Sequence, residues 1–286
     1  MKLPLTTKEM LDLLEERGLV IEDRASAGAT LLNANYYRLS GFFRQLQRDP
    51  QGGDPRFVEG ASFSQVVRLH QADRLLARLC LQPLSEIECV IRSRLAYFAA
   101  QRSGSGAFYL EPGYYYDFTP GLDDHLSRIA RELRSSKSPM VTRYRMTDGD
   151  VSAVPVWVAV EVLPFGTVSR MIEHAADSTA ARQVAHSLSL QWDTFPSTVH
   201  SLAVFRNRCA HHGQNWHRRL DVQTPRKKSE LRHVRRHHAQ GVYPAILALR
   251  RFAKASGASL DPLDEIEELL SRDPEYAAGI LWPDPK

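Results

Sequence analysis

The chain has 286 residues, 43% of them hydrophobic, and a formal net charge of only +4, so it can fill the core of one large domain or two and its overall charge selects no partner. Its three cysteines, Cys80, Cys89 and Cys209, are an odd number without metal-site spacing, and Cys80 and Cys89 lie on apolar helical patterns, which reads as core thiols in a reducing cytosol. No apolar run approaches the roughly 18 residues of a membrane span, and Met1-Lys2-Leu3-Pro4 lacks the apolar core of a signal peptide. The expectation is a cytoplasmic protein with no membrane contact.

Thr6 followed by Glu9 makes a capping box, and Leu11, Leu13 and Leu14 give a first helix its apolar stripe up to Gly18. A second helix is expected from Asp23 toward Asn33. The block Asn35-Tyr36-Tyr37-Arg38-Leu39-Ser40-Gly41-Phe42-Phe43 follows. Either its aromatics stack on bases, or they pack a helical arm, residues 1–48, onto the main body with Arg38 in a structural ion pair. Pro50, Gly52, Gly53, Pro55 and Gly60 mark a loop over 49–61.

From Phe63 to about Arg102, apolar residues recur mostly at three and four, the pattern of a long helix that Pro83 kinks or splits. Glu88 and Arg92 stand at i,i+4 within it, and Asp73 and Arg74 precede them. Asp73, Glu88 and Arg92 either orient the chemistry described below or form surface pairs worth at most about 0.5 kcal/mol. The Gly-, Tyr- and Pro-containing stretch 104–121, with Tyr114, Tyr115 and Tyr116 in a row, is a flexible lid or a packed loop. A helix over about 122–135 and a polar link to Asp150 lead to an apolar block, 154–177. That block reads as a buried helix broken at Pro164-Phe165-Gly166, with Trp157, Val160 and Phe165 in the core. A further helix is expected over 180–190.

Asp193 or Thr194 caps the helix carrying Phe205-Arg206-Asn207-Arg208-Cys209-Ala210-His211-His212. Leu202, Phe205 and Cys209 form its apolar stripe, Asn207 and His211 lie away from that stripe, and Arg206 sits at its border. The string combines a permanent cation, whose planar fork of donors suits a phosphate, with imidazoles that exchange protons near neutral pH. Metal-free RNA cleavage needs this set: a base draws the proton from a 2′-hydroxyl, that oxygen attacks phosphorus, and a cation steadies the charged transition state. Arg206 and His211 point about 140° apart on a straight helix. They converge only if the helix ends or distorts near His211, for which Gly213 is a plausible stop, or if a second copy supplies the missing half. The plainer alternatives are a helix C-terminus whose cations answer the macrodipole, or half of a metal site with no further ligand at suitable spacing.

Trp216 either stacks on a base or covers the end of the bundle, and Arg218 and Arg219 are candidate phosphate ligands. The turn with Arg226, Lys227 and Lys228 and a helix over about 229–254 supply further basic surface, with His233, His237 and His238 on its solvated face. Between Arg206 and Arg251 the only acids are Asp221 and Glu230, an excess of cations that draws a polyanion. Residues 255–286 read as an acidic helix and a tail that is frayed or docked through Trp282.

Four blocks carry a family resemblance: LLEERGLVIEDRASAGATLLNANYYRLSGFF at 13–43, ADRLLARLCLQPLSEIECVIRSRLAYFAA at 72–100, VPVWVAVEVLPFGTVSRM at 154–171 and FRNRCAHHGQNWHRRL at 205–220. Arg206-Asn207 through Ala210-His211 resembles the R-x4-6-H signature of the HEPN superfamily of helical ribonucleases. The chain as a whole resembles the Abi-like (AbiD/AbiF-type) abortive-infection proteins within that superfamily. The resemblance implies an all-α HEPN-like bundle over 63–254 with the N-terminal arm outside it. It also implies a metal-independent, cofactor-free endoribonuclease of the toxin-like, anti-phage kind that acts as a homodimer and leaves a 2′,3′-cyclic phosphate and a 5′-hydroxyl. Arg206, Asn207, His211 and His212 are then the catalytic candidates. Arg208, Trp216, Arg218, Arg219, Arg226, Lys227 and Lys228 are the RNA-binding ones. Tyr37, Arg38, Asp73, Glu88 and Arg92 have supporting roles. The rival expectations are a protein of the same fold that holds RNA without cutting it, and a protein-interaction component of a defence or toxin–antitoxin system. An RNA or protein antitoxin is an open possibility as its restraint.

Overall fold

The capping box forms: the Glu9 amide donates to Thr6 Oγ1 at 3.3 Å, the Thr6 amide donates to the Glu9 carboxylate at 2.7 Å, and α1 (Thr7–Glu16) follows. In the computed structural model, which describes residues 4–101, 106–117, 119–146 and 148–286, Asp23 caps α2 (Arg24–Ala34) by accepting from the Ala25 and Ser26 amides. Asn35, one of the few residue types that tolerate positive φ, turns the chain at φ 61° into α3 (Tyr36–Gln45). The aromatic block is therefore a helix. It buries Leu39, Phe42 and Phe43 and leaves Tyr37 84% exposed.

The expected loop over 49–61 contains a short antiparallel ribbon, β1 (Gln47–Asp49) with β2 (Asp54–Phe57). Pro55 is tolerated there because a two-stranded ribbon has outer edges that need no amide. Ser62 and Gln65 form a second capping box that starts α4 (Phe63–Ala100). α4 runs its full length as one helix with Pro83 inside; Arg102 lies outside the described residues. Leu69, Leu76, Cys80, Leu84, Ile87 and Ile91 are buried along it, and the rest of the chain is laid against this rod.

The connection after α4 is packed. Tyr109 and Tyr115 are buried, Tyr115 Oη donates to the Tyr109 carbonyl at 2.8 Å, and Tyr109 Oη donates to the Val154 carbonyl at 3.0 Å. Residues 102–105 of this stretch, and residue 118, lie outside the described set. Then come α5 (Leu122–Ser135), α6 (Pro139–Thr142), α7 (Val156–Val162) and α8 (Phe165–Glu173), with the break falling at Leu163-Pro164. Val160 and Phe165 are core, but Trp157 is 42% exposed. It shares the i,i+4 row of α7 with exposed Glu161, next to the row that buries Val156 and Val160.

α9 (Thr179–Ser187) and α10 (Phe195–Ala210) follow. The helix expected over 229–254 begins only at Tyr243 as α11 (Tyr243–Ser256); residues 229–242 hold a single 3₁₀ turn, Glu230–Arg232. Pro244 in the first turn sets that start and Gly257, at φ 71°, ends the helix. His237 is buried rather than solvated, its Nδ1 2.8 Å from the Arg235 carbonyl oxygen. α12 (Leu263–Arg272) and α13 (Pro274–Leu281) pack back on α4, where Arg68 pairs with Asp273 and Glu275. The tail is docked, though not by Trp282, which is 53% exposed. Lys286 Nζ donates to the Gln47 carbonyl at 2.8 Å, and Arg44 Nε donates to the Lys286 carbonyl at 2.8 Å. One apolar core runs from Leu11 to Leu281 and takes in arm, bundle and C-terminal helices. Cys80 and Cys209 belong to it, whereas Cys89 is exposed. No helix among the described residues is long and apolar enough to cross a membrane.

Candidate functional site

A 3₁₀ turn, Trp192–Thr194, feeds α10, and Pro196 in the first turn suits its start; Thr194 is the N-cap residue but gives no side-chain cap. The helix ends within the motif. His211 is the C-cap and His212 adopts φ 58°, the left-handed position that glycine usually takes. The Gly213 amide donates to the Arg208 carbonyl at 2.8 Å and the His212 amide to the Cys209 carbonyl at 3.2 Å, the paired bonds of a Schellman ending. The stop is thus one residue earlier than Gly213. Gly213 is required for another reason: a Cβ there would lie 2.9 Å from Arg208 Cγ.

Arg206 is pinned from two sides. Its Nε is 2.9 Å from Glu88 Oε2, and its Nη1 donates to Asn207 Oδ1 at 3.2 Å. Asn207 thereby orients the guanidinium and not an imidazole. Glu88 Oε1 accepts from Arg92 Nε at 3.0 Å and from Arg92 Nη2 at 2.5 Å. Arg92 Nη1 in turn donates to the carbonyls of Val160 and Leu163, which the end of α7 leaves without helical partners. Glu88 and Arg92 are 7% and 8% exposed, so this lattice is buried and screened little by water. It ties α4, α7 and α10 together at Arg206, whose own side chain stays about a third open.

His211 is exposed, and its ring has no hydrogen-bond partner among the described residues. No hydrogen bond or ion pair joins it to Arg206 within those residues. His212 turns toward α3 and α4: Arg38 Nη1 donates to its carbonyl at 3.0 Å, and its side chain lines a cleft with Arg38, His70, Arg74 and Arg78. Arg38 is therefore bound to a neutral carbonyl and not in the expected ion pair. Arg74, then burial and Arg38, push the His212 imidazole below its ordinary value.

Two expected RNA contacts are corrected. Trp216 is 2% exposed, stacked on Phe42 with centroids 5.7 Å apart and planes 6° apart, and its Nε1 donates to the Glu275 carbonyl at 3.3 Å. It covers the end of the bundle, and Gly279 makes room for it, since a Cβ there would fall 2.3 Å from the indole nitrogen. Arg208 is half-buried, its pKa lowered by burial, and its Nη2 donates to the Arg219 carbonyl at 2.9 Å, so it holds the loop after the helix. Arg218, Arg219, Arg226 and Lys228 are exposed, and Lys227 is half-buried, on the loops beyond. Tyr37 points outward, away from the motif helix's core contacts.

Asp73 anchors the chain just past the motif. Its Oδ2 accepts from the Asn215 amide at 2.9 Å, and its Oδ1 accepts from the Trp216 amide and from Tyr276 Oη, each at 2.9 Å. Burial pushes this carboxyl up to about 6 against the pull of those donors. His70 and Arg78, which join the cleft, were absent from the expected site; their spacing of four about Arg74 on α4 was the available signal. Among the described residues there is no group of three or more His, Cys, Asp or Glu side chains suited to a metal ion.

Comparison with curated proteins finds no matching relative, and comparison with solved structures finds no match either. The family model described as Abi-like protein matches residues 29–217, from α2 through the aromatic arm, α4 and the motif helix to His217. That span is well over half of the chain, which therefore belongs to the Abi-like family.

Proposed function

We propose that this Abi-like chain is a metal-independent endoribonuclease serving abortive-infection defence, with Arg206 and His211 at its centre. The observation that carries the reading is the state of Arg206 at the last turn of α10. Its Nε lies 2.9 Å from Glu88 Oε2 in an ion pair without a hydrogen bond, its Nη1 donates to Asn207, its Nη2 has no partner among the described residues, and the helix ends at His211, which is open to solvent. A guanidinium fixed in direction with one free edge is what a developing phosphorane charge requires.

In the proposed reaction His211 takes the proton of a ribose 2′-hydroxyl. The O2′–phosphorus bond forms as the phosphorus–O5′ bond breaks, and O5′ receives a proton. The products are a 2′,3′-cyclic phosphate and a 5′-hydroxyl. Arg206 holds the phosphate, and a second imidazole, His212 or His211 of another copy, delivers the second proton. A homodimer brings two motif helices to one cleft, which answers the separation of Arg206 and His211 within a single chain. Cleavage of total cellular RNA in the presence of EDTA, wild type against His211→Ala, tests this. Cutting is expected only with wild type, and a folded variant that cuts equally well overturns it.

A second reading, RNA held but not cut, is favoured by the fact that Glu88 already sits against Arg206 and offsets its charge. It predicts salt-sensitive RNA binding without EDTA-resistant cleavage.

A further inference from the structure

α4 carries His70, Arg74 and Arg78 at steps of four, one row on a single helical face. α3 brings Arg38 to the same place, and the left-handed turn after α10 brings His212. These five side chains line a groove of about 1030 Å³ that deepens into a cleft between α3, α4 and the end of α10. The carboxylates bordering the groove are engaged elsewhere. Asp73 faces inward and takes three hydrogen bonds, and Asp273 pairs with Arg68. Arg74 and Arg78 have no carboxylate partner among the described residues, and Arg38 spends one nitrogen on a neutral carbonyl. The field of these arginines is felt by both imidazoles: Arg74 and Arg38 help push His70 and His212 below their ordinary values. Three guanidinium groups converging in a concavity whose bordering carboxylates are engaged by other donors attract a phosphate-bearing chain.

The groove is also aligned with the motif. α10 and α4 run side by side in opposite directions: Arg206 meets Glu88, and further along Asp73 holds Asn215. From Arg206, the groove is reached by following α4 back from Glu88 to Arg78 and Arg74, roughly 15–20 Å at the helical rise. That is the reach of a few extended nucleotides.

We propose that this groove is the track on which the single-stranded RNA lies, with Arg38, Arg74 and Arg78 holding backbone phosphates away from the scissile one. The ligand class rests on the ribonuclease reading, so the test measures binding and not cutting. A labelled, unstructured RNA oligonucleotide is titrated by fluorescence anisotropy against the full chain carrying His211→Ala, which keeps the RNA intact, with and without Arg74→Gln/Arg78→Gln. The double variant is expected to bind at least about tenfold more weakly. The slope of log affinity against log salt should fall by about 0.7 for each backbone phosphate no longer neutralised. Both arginines reach solvent, so the circular dichroism spectrum should not change, and Arg74→Lys/Arg78→Lys should restore most of the slope.

Unchanged affinity and slope overturn the track, as does the finding that Arg226→Gln/Lys228→Gln, on a basic loop that does not line the groove, carries the slope instead. A free mononucleotide that competes as well as the oligonucleotide also overturns it, as does a chain that binds no RNA. A chain that binds RNA through the groove while the wild type never cuts leaves the track standing and sinks the nuclease. A chain whose cutting and binding ignore Arg74 and Arg78 does the reverse.

Discussion

The two ends of the Arg206–His212 string live in opposite surroundings. Arg206 is clamped by Glu88, itself buried against Arg92 and the carbonyls that finish α7. Five residues later His211 stands in solvent and His212 leans into a cleft of unpaired arginines. A charge-stabilising group gains from being fixed before the reaction begins. A proton-transferring group gains from access to water and substrate. The helix end between them allows one short segment to supply both conditions.

The sharpest way to break this comparison is to remove each end in turn. His211→Ala and Arg206→Ala should each lower RNA cleavage by about 10²–10⁴-fold, the usual worth of a positioned proton-transfer or charge-stabilising residue. Only Arg206→Ala should also disturb thermal stability, because it alone leaves a buried partner. Equal melting curves for the two would show that the clamp is not structural. Next in size, Glu88→Ala strands Arg92 in the interior and should cost about 3–5 kcal/mol by chemical denaturation. A loss below 1 kcal/mol would mean that water reaches the lattice.

A buried imidazole sharpens the contrast with exposed His211. Burial, then Arg170, His174 and Arg128, push His125 down to about 4. Its folded value lies below the roughly 6.5 of an unfolded chain, so the unfolded state takes up the proton first as the pH falls. The stability tied to neutral His125 is complete above about 6.5 and is lost progressively toward about 4. The denaturation midpoint of wild type should fall over that window, and that of His125→Gln should fall less; parallel curves would remove the assignment. The smallest effect belongs to His212. His212→Gly relieves the left-handed backbone and should stabilise the fold by about 0.5–1 kcal/mol. At saturating RNA its turnover should stay close to wild type if, in the proposed reaction, His211 takes the first proton and His211 of another copy delivers the second. A fall matching that of His211→Ala would move the role one residue along.

What the sequence shows clearly is punctuation. Thr6 with Glu9, Asp23, and the Pro164 of Pro164-Phe165-Gly166 each mark a helix boundary that the fold keeps, because caps and prolines act within a turn of themselves. The long recurrence of apolar residues likewise carries α4 straight through Pro83. What the sequence hides is which face meets which neighbour. Trp157, in an apolar block, is exposed because it shares a row with Glu161, while Trp216, in a polar one, is buried because Phe42 and Gly279 form a slot for it. The stretch 229–242 has helical spacing but lies outside the helix that Pro244 starts. Glu88 and Arg92 were visible as a pair, yet only the approach of α10 makes Glu88 a clamp for Arg206. The groove is half legible in the same sense. Arg74 and Arg78 are spaced along one helix, whereas Arg38 and His212 meet across 174 residues of sequence.

Asp73 also imposes an order on the birth of the site. Its three donors come from residues 142, 143 and 203 positions downstream, so Tyr276 is the last of them to be translated. Contacts of such long range form late and slowly. A nascent chain that has not yet released Pro274–Leu281 from the ribosome lacks Tyr276, and the loop behind the motif then hangs on two bonds to a carboxylate no longer sealed from water. The loop behind Arg206–His212 is therefore fully anchored only once the segment carrying Tyr276 has folded back against α4.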